Sequence, residues 1–189
     1  MGWQRCIGVS LVLAGVATAT SQAAEAPRPR IDSLIAQARG TEIFLRFRLG
    51  GALNPELATR IQAGLETAIR YDIRLYRHNA HWFWDYSLGK VRYRVSATFD
   101  PVTREYVIVE TMDDKPFSRS STRDFGDVAR RLVSHDNLPT FRVREDGLTN
   151  LYVTMRATFD SGYLFTIIPV DSRTDWAESN RFEVLAVRR

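Results

Sequence analysis

Two histidines, His78 and His81, stand three residues apart with Asp85 four further on, and a His135-Asp136 pair lies elsewhere in the chain. A zinc or copper centre needs three or four converging ligands, oriented by hydrogen bonds behind them. A metal site therefore requires His78, His81 and His135 to meet in one cleft; otherwise these rings only lend polar edges to packing. The acids Asp113-Asp114 and Glu145-Asp146 come nearest to the carboxylate pairs of glycoside hydrolysis. They precede Pro116 and Gly147, however, and read as turn residues. The sequence has no G-x-S-x-G elbow, H-E-x-x-H pair, D-x-[DN]-x-[DN]-G calcium loop or phosphate-cradling glycine loop. The residues thus call for no cofactor and no catalytic group. A metal-dependent or hydrolytic enzyme is the alternative, and a purely structural scaffold is a third class.

The densest local anomaly is aromatic: His81 to Tyr86 reads HWFWDY. In an extended segment Trp82, Trp84 and Tyr86 fall on one side and Phe83 on the other. Flat aromatic faces near arginines bind sugars, peptides or partner surfaces, and Trp, Tyr and Arg concentrate at binding hot spots. Two tryptophans also serve as plugs at the end of a sandwich, and that reading stands beside the first. With Arg92 and Arg94 facing outward on the adjoining strand and Trp176 further along, Trp82, Trp84 and Tyr86 form the candidate binding surface.

The elements that must position these residues are mostly strands. Ile43, Leu45, Phe47 and Leu49 alternate with Phe44, Arg46 and Arg48, and Ile69, Tyr71, Ile73 and Leu75 with Arg70, Asp72 and Arg74. The same period of two runs through Val91 to Phe99, Phe141 to Arg144 and Leu151 to Phe159, the pattern of half-buried antiparallel strands. Arg39-Gly40, Asp100-Pro101, Asp146-Gly147 and Ser161-Gly162 punctuate them at hairpin distances, so pairing between neighbours in sequence is expected. Tyr106–Glu110, Tyr163–Val170 and Arg181–Val187 bring the count to nine or ten strands. The expected fold is a two-layer antiparallel β-sandwich of Ig-like or C2-like character with two short helices. One helix starts at the Asn54 cap with Pro55 in its first position and carries Leu57, Ile61 and Leu65; the other runs from Ser121 or Thr122 to about Ser134. Ala-Thr-Phe-Asp occurs at 97–100 and again at 157–160, either a trace of a duplicated hairpin or a coincidence between similar strands.

The first residues fit an export signal. A single charge at Arg5 precedes the uncharged run Cys6 to Ala19, which at about 14 residues is short of the ~20 that span a bilayer. Ser21-Gln22-Ala23 suits cleavage before Ala24, leaving an extended lead-in at 24–30 and one domain at 31–189, with no stable membrane span after cleavage. The expected location is the periplasm, or outside the cell. The one cysteine, Cys6, lies in the removed segment, so the mature chain would have no disulfide, thiolate metal site or Cys nucleophile. The formal charge of +4 comes from interspersed residues, and lysine occurs only at Lys90 and Lys115. Without a run of like charges there is no nucleic-acid footprint.

From Trp82 to Val107 the order of aromatic cluster, arginine-rich strand, turn and second strand resembles the proteobacterial family called domain of unknown function 4390. Ile31-Asp32-Ser33-Leu34 near the start, the short helix at Asn54, and Ser172-Arg173-Thr174-Asp175-Trp176 near the end agree with that resemblance. It implies an exported domain with no assigned activity or ligand, and a gene neighbourhood that includes a membrane sensor kinase of the nitrogen-regulation type. The expected partner is an envelope protein or a small ligand.

Overall fold

Alternating burial organises the chain as the sequence requires. In the computed structural model, which describes residues 28–53, 55–80, 83–144, 148–160 and 173–185, Ile69, Tyr71, Ile73 and Leu75 are at most 1% exposed. The intervening Arg70, Asp72 and Arg74 are half-buried or exposed on the opposite face. The strands are β1 (Arg30–Arg39), β2 (Glu42–Gly50), β3 (Thr67–Arg77), β4 (Tyr86–Asp100), β5 (Glu105–Met112), β6 (Lys115–Thr122), β7 (Ser134–Arg142), β8 (Leu148–Asp160), β9 (Ala177–Glu178) and β10 (Phe182–Val184). Helix α1 (Pro55–Gln62) follows β2, and α2 (Phe125–Val133) follows β6.

Two antiparallel sheets result, one in the order β1-β2-β7 and one in the order β10-β8-β3-β4-β5-β6, with β9 also on β8. The fold is mainly β and sandwich-like, with the larger sheet curled. Phe47 of β2 meets Tyr71 of β3 across the interior, ring centroids 4.8 Å apart. Around this pair the core gathers Leu45, Leu138, Tyr93, Val95 and Val153. Burial of this continuous apolar interface is the main driving force for the fold.

Several expectations need correction. Pairing is not purely local: β2 pairs with β7 and β3 with β8, because each central strand has apolar residues enough for a buried position and needs two neighbours. The chain from Lys115 to Thr122 is a strand that alternation does not reveal, since its inward residues are mostly Ser and Thr. That strand takes up Ser121 and Thr122, so α2 begins at Phe125, capped by Asp124, whose carboxylate accepts from Gly126 N at 2.8 Å. Helix α1 ends at Gln62 and does not reach Leu65. Gly64, at φ +78°, reverses the chain while its N–H donates to Ile61 O at 3.0 Å and Leu65 N–H to Arg60 O at 3.1 Å, a Schellman ending.

The leader at 1–23, the lead-in up to residue 27, the Asn54 cap, His81, Trp82, the Glu145–Gly147 turn and the strand expected at Tyr163–Val170 lie outside the described residues. The two Ala-Thr-Phe-Asp tetrads flank β3 on either side. Ala97 stands opposite Thr67 and Ala157 opposite Tyr71, so they do not occupy equivalent registers.

Candidate functional site

Because β4 and β8 both pair with β3 in antiparallel register, their outward residues stand in rows. One row is Arg94, Arg70 and Thr158; the next Arg92, Asp72 and Arg156; the next Lys90, Arg74 and Thr154. Six cations and one acid thus share one face of three strands. Arg156 pairs with Asp72 at 3.2 Å, Arg94 with Glu66 at 2.9 Å and Arg92 with Asp114 at 3.4 Å. Asp113 and Asp114 form the β5–β6 turn with φ of 49° and 63°, as turn chemistry predicts. Asp113 Oδ1 also accepts from Arg92 N at 2.8 Å, which ties the turn to β4. Arg70, Arg92, Arg94, Thr111 and Asp114 enclose an open cavity of about 440 Å³.

Trp176 belongs to the same face. Thr174 N–H donates to Ala157 O and Ser179 N–H to Val153 O, both at 2.9 Å. The two hydroxyls accept in return, Thr174 Oγ1 from Ala157 N at 3.0 Å and Ser179 Oγ from Val153 N at 2.9 Å. These two anchors hold the C-terminal segment along β8. Trp176 lies between them, 40% exposed, with the guanidinium carbons of Arg74 and Arg156 at 4.5 and 4.6 Å from its ring centre. The cation–π geometry holds ring and cations as one surface.

Of the six residues expected to form one surface, Trp82 lies outside the described residues and the other five divide. Arg92, Arg94 and Trp176 share the outer face of the large sheet. Tyr86 stands opposite Arg77, with the parity of buried Leu75, at the far end of β4. Trp84 lies in a bend before it, so the HWFWDY segment is not continuously extended. The bend is drawn in by Asp85, which accepts from Asn79 N at 3.0 Å and from the Tyr152 hydroxyl at 2.5 Å. Phe83, Trp84 and Tyr86 are 97%, 72% and 61% exposed, so Trp84 is not a core plug. Beside this end Leu75, Arg77, Leu88, Phe141 and Leu148 line a second open cavity of about 340 Å³. Gly89 lets the Phe141 ring lie against β4: a Cβ there would come within 3.3 Å of that ring.

The acid–base residues form two separate groups. His78 Nδ1 lies 3.0 Å from Asp85 Oδ1. The hydrogen bond from Tyr152, then that from Asn79, hold the Asp85 carboxyl below its ordinary value. Among the described residues no serine or threonine hydroxyl bonds to this imidazole. Beside Tyr93, which stands opposite Tyr71 of β3, His135 Nε2 is 3.9 Å from the buried Glu110 carboxylate and Arg131 is 4.0 Å from it. His135 beside it holds the Glu110 carboxyl down while burial pushes the other way. The Tyr93 hydroxyl faces Glu110 without a hydrogen bond of regular geometry. His78 and His135 do not converge: His78 follows the end of β3, whereas His135 packs on Tyr93, which stands opposite Tyr71 seven residues before His78, roughly 20 Å along the strand at 3.3 Å per residue. Among the described residues no group of three acids, histidines or cysteines could hold a metal ion.

Sequence reasoning missed the contributions of Arg70, Arg74 and Arg156. They appeared only as the polar halves of alternating strands, and the β3–β8 pairing that aligns them is non-local. The signal was present in RYDIR and in Arg156, but only register converts it into a surface. A family model described as domain of unknown function (DUF4390) matches residues 26–164, a span that takes in every row of the outer face and ends before Trp176. No curated protein and no solved structure matches the chain.

Proposed function

The chain belongs to the family described as domain of unknown function DUF4390, and from that premise we propose a non-catalytic binding module of the cell envelope, exported to the periplasm by the leader expected at residues 1–23. The family supplies no activity, so the reading rests on surface chemistry. Its carrying observation is Trp176, exposed and held between Arg74 and Arg156 on a face that also bears Arg70, Arg92 and Arg94. A tryptophan shelf between fixed guanidiniums is the composition of a protein-recognition hot spot, and its cationic surroundings favour an acidic partner. Export is supported by the charged start, apolar run and small-residue cleavage pattern of the first residues.

The test uses the full chain with Trp176→Ala and with the pair Arg92→Ala and Arg94→Ala, each assayed for partner capture from a periplasmic extract beside a thermal melt. The expected result is lost capture at nearly unchanged melting temperature, with the arginine effect larger at low salt than at high salt. Normal capture by both variants would overturn the reading.

A further inference from the structure

Like charges directly opposite one another on a sheet repel, yet β3 and β4 set Arg70 against Arg94 and Arg74 against Lys90. Glu66 reaches Arg94 and Asp114 reaches Arg92 from the periphery of this face. Both acids are more than half exposed, and ion pairs so placed contribute little and yield to a competitor. Here lies the open cavity of about 440 Å³ lined by Arg70, Arg92, Arg94, Thr111 and Asp114.

We infer that this cavity is a binding site for a phosphomonoester group, held by Arg70, Arg92 and Arg94 with Thr111 as a further donor. This rests on the outer face being the recognition surface. A carboxylate has one charge and two oxygens, which a single guanidinium fork satisfies. A phosphomonoester brings three terminal oxygens and a charge of about −1.5 to −2 near neutrality, which matches a cavity lined by three arginines. Asp114 is then the competitor the ligand displaces from Arg92. The same chemistry is offered by a soluble phosphate ester and by the headgroup of a phosphatidic-acid lipid, both of which an envelope protein can meet.

The experiment measures the melting temperature of the full chain with methyl phosphate, and with acetate at matched ionic strength. At a tenfold excess over its dissociation constant methyl phosphate should raise it by about 3–6 °C, and acetate should not. Arg70→Gln and Arg94→Gln should each weaken binding by about tenfold, Asp114→Asn should strengthen it, and Arg48→Gln, which removes the same charge from the other sheet, should change nothing. Co-sedimentation with phosphatidylcholine vesicles containing phosphatidic acid, absent with phosphatidylcholine alone, would assign the lipid source; a response to methyl phosphate only would assign a soluble ester. The inference is overturned by an equal response to acetate, or by a phosphate response that survives Arg70→Gln and Arg94→Gln. If phosphate fails while Trp176→Ala still abolishes partner capture, only the ligand class is wrong and the binding module stands.

Discussion

The side-chain amide of Asn180 pairs with the backbone of Ala36 as a neighbouring strand would, accepting from its N–H at 2.8 Å and donating to its carbonyl at 3.1 Å. Ala36 is in β1 of the small sheet, while Asn180 lies between β9 and β10 on the edge of the large one. One side chain thus joins the two layers where no strand does.

Asn180→Ala should therefore destabilise the protein by about 1–3 kcal/mol, since it strands both backbone groups of the buried Ala36. Asn180→Asp should also destabilise, because a carboxylate keeps the acceptor but not the donor. Denaturant midpoints measure both, and an unchanged midpoint for Asn180→Ala would remove the amide's role in joining the sheets.

The anchors beside Trp176 give a second outcome. Thr174→Val keeps the shape of the buried side chain but loses the hydroxyl that accepts from Ala157 N, while Thr174→Ser keeps it. The expected loss is about 1–2 kcal/mol for the first and much less for the second. Fluorescence of Trp176 should shift with the same ordering, because its seat over Arg74 depends on the anchor.

Two buried tyrosines should respond differently to losing their hydroxyls. Tyr71 donates to Leu132 O at 2.7 Å, so Tyr71→Phe leaves that carbonyl unsatisfied at a cost of about 1–2 kcal/mol. The Tyr93 hydroxyl has no regular partner, and Tyr93→Phe should cost less or stabilise. Thermal melts of the two variants decide, and the reverse order would show that Tyr93 bonds to Glu110.

Acid should weaken the fold through Glu110 and Asp85, both of which sit below their ordinary values. A carboxyl depressed in the folded state stabilises it above the unfolded-state value, and that contribution disappears as pH falls through the folded value. Stability should accordingly fall with acidification from the ordinary carboxylate range downward, and Glu110→Gln should flatten that limb of the profile. A profile identical to that of the unaltered chain would remove Glu110 from the balance.

Trp84→Ala should leave the denaturant midpoint within about 0.5 kcal/mol of the parent, the usual range for an exposed position. A loss near that of a buried aromatic, about 3–5 kcal/mol, would place Trp84 in the core.

Much of this was legible beforehand. The β2, β3, β4 and β8 patterns announce their inner faces, because period-two alternation and one-sided burial are the same fact seen twice. The turn at Asp113-Asp114 and the end of α1 before the β3 residue Ile69 follow equally from local chemistry. Strand β6 was invisible because its side chains bury little, and α2 was extended into it because Ser and Thr serve as caps as readily as they serve on an edge. The outward arginines were read one strand at a time, and their common face depends on the non-local β3–β8 register. The aromatic segment failed for a different reason: Asp85 binds backbone and side chains from two directions and bends a stretch whose composition favours extension.

Among the described residues strand β6 stands at one end of the large sheet and so offers a row of backbone donors and acceptors to any passing chain. Lys115, Pro116 and Arg119 stand along it. Proline withholds one donor, and the two cations repel the like-charged edge of a second copy. The sheet is thereby protected from growing by recruitment of its own kind, and a Pro116→Val, Lys115→Val, Arg119→Thr chain would be the one to watch for self-association and fibre growth.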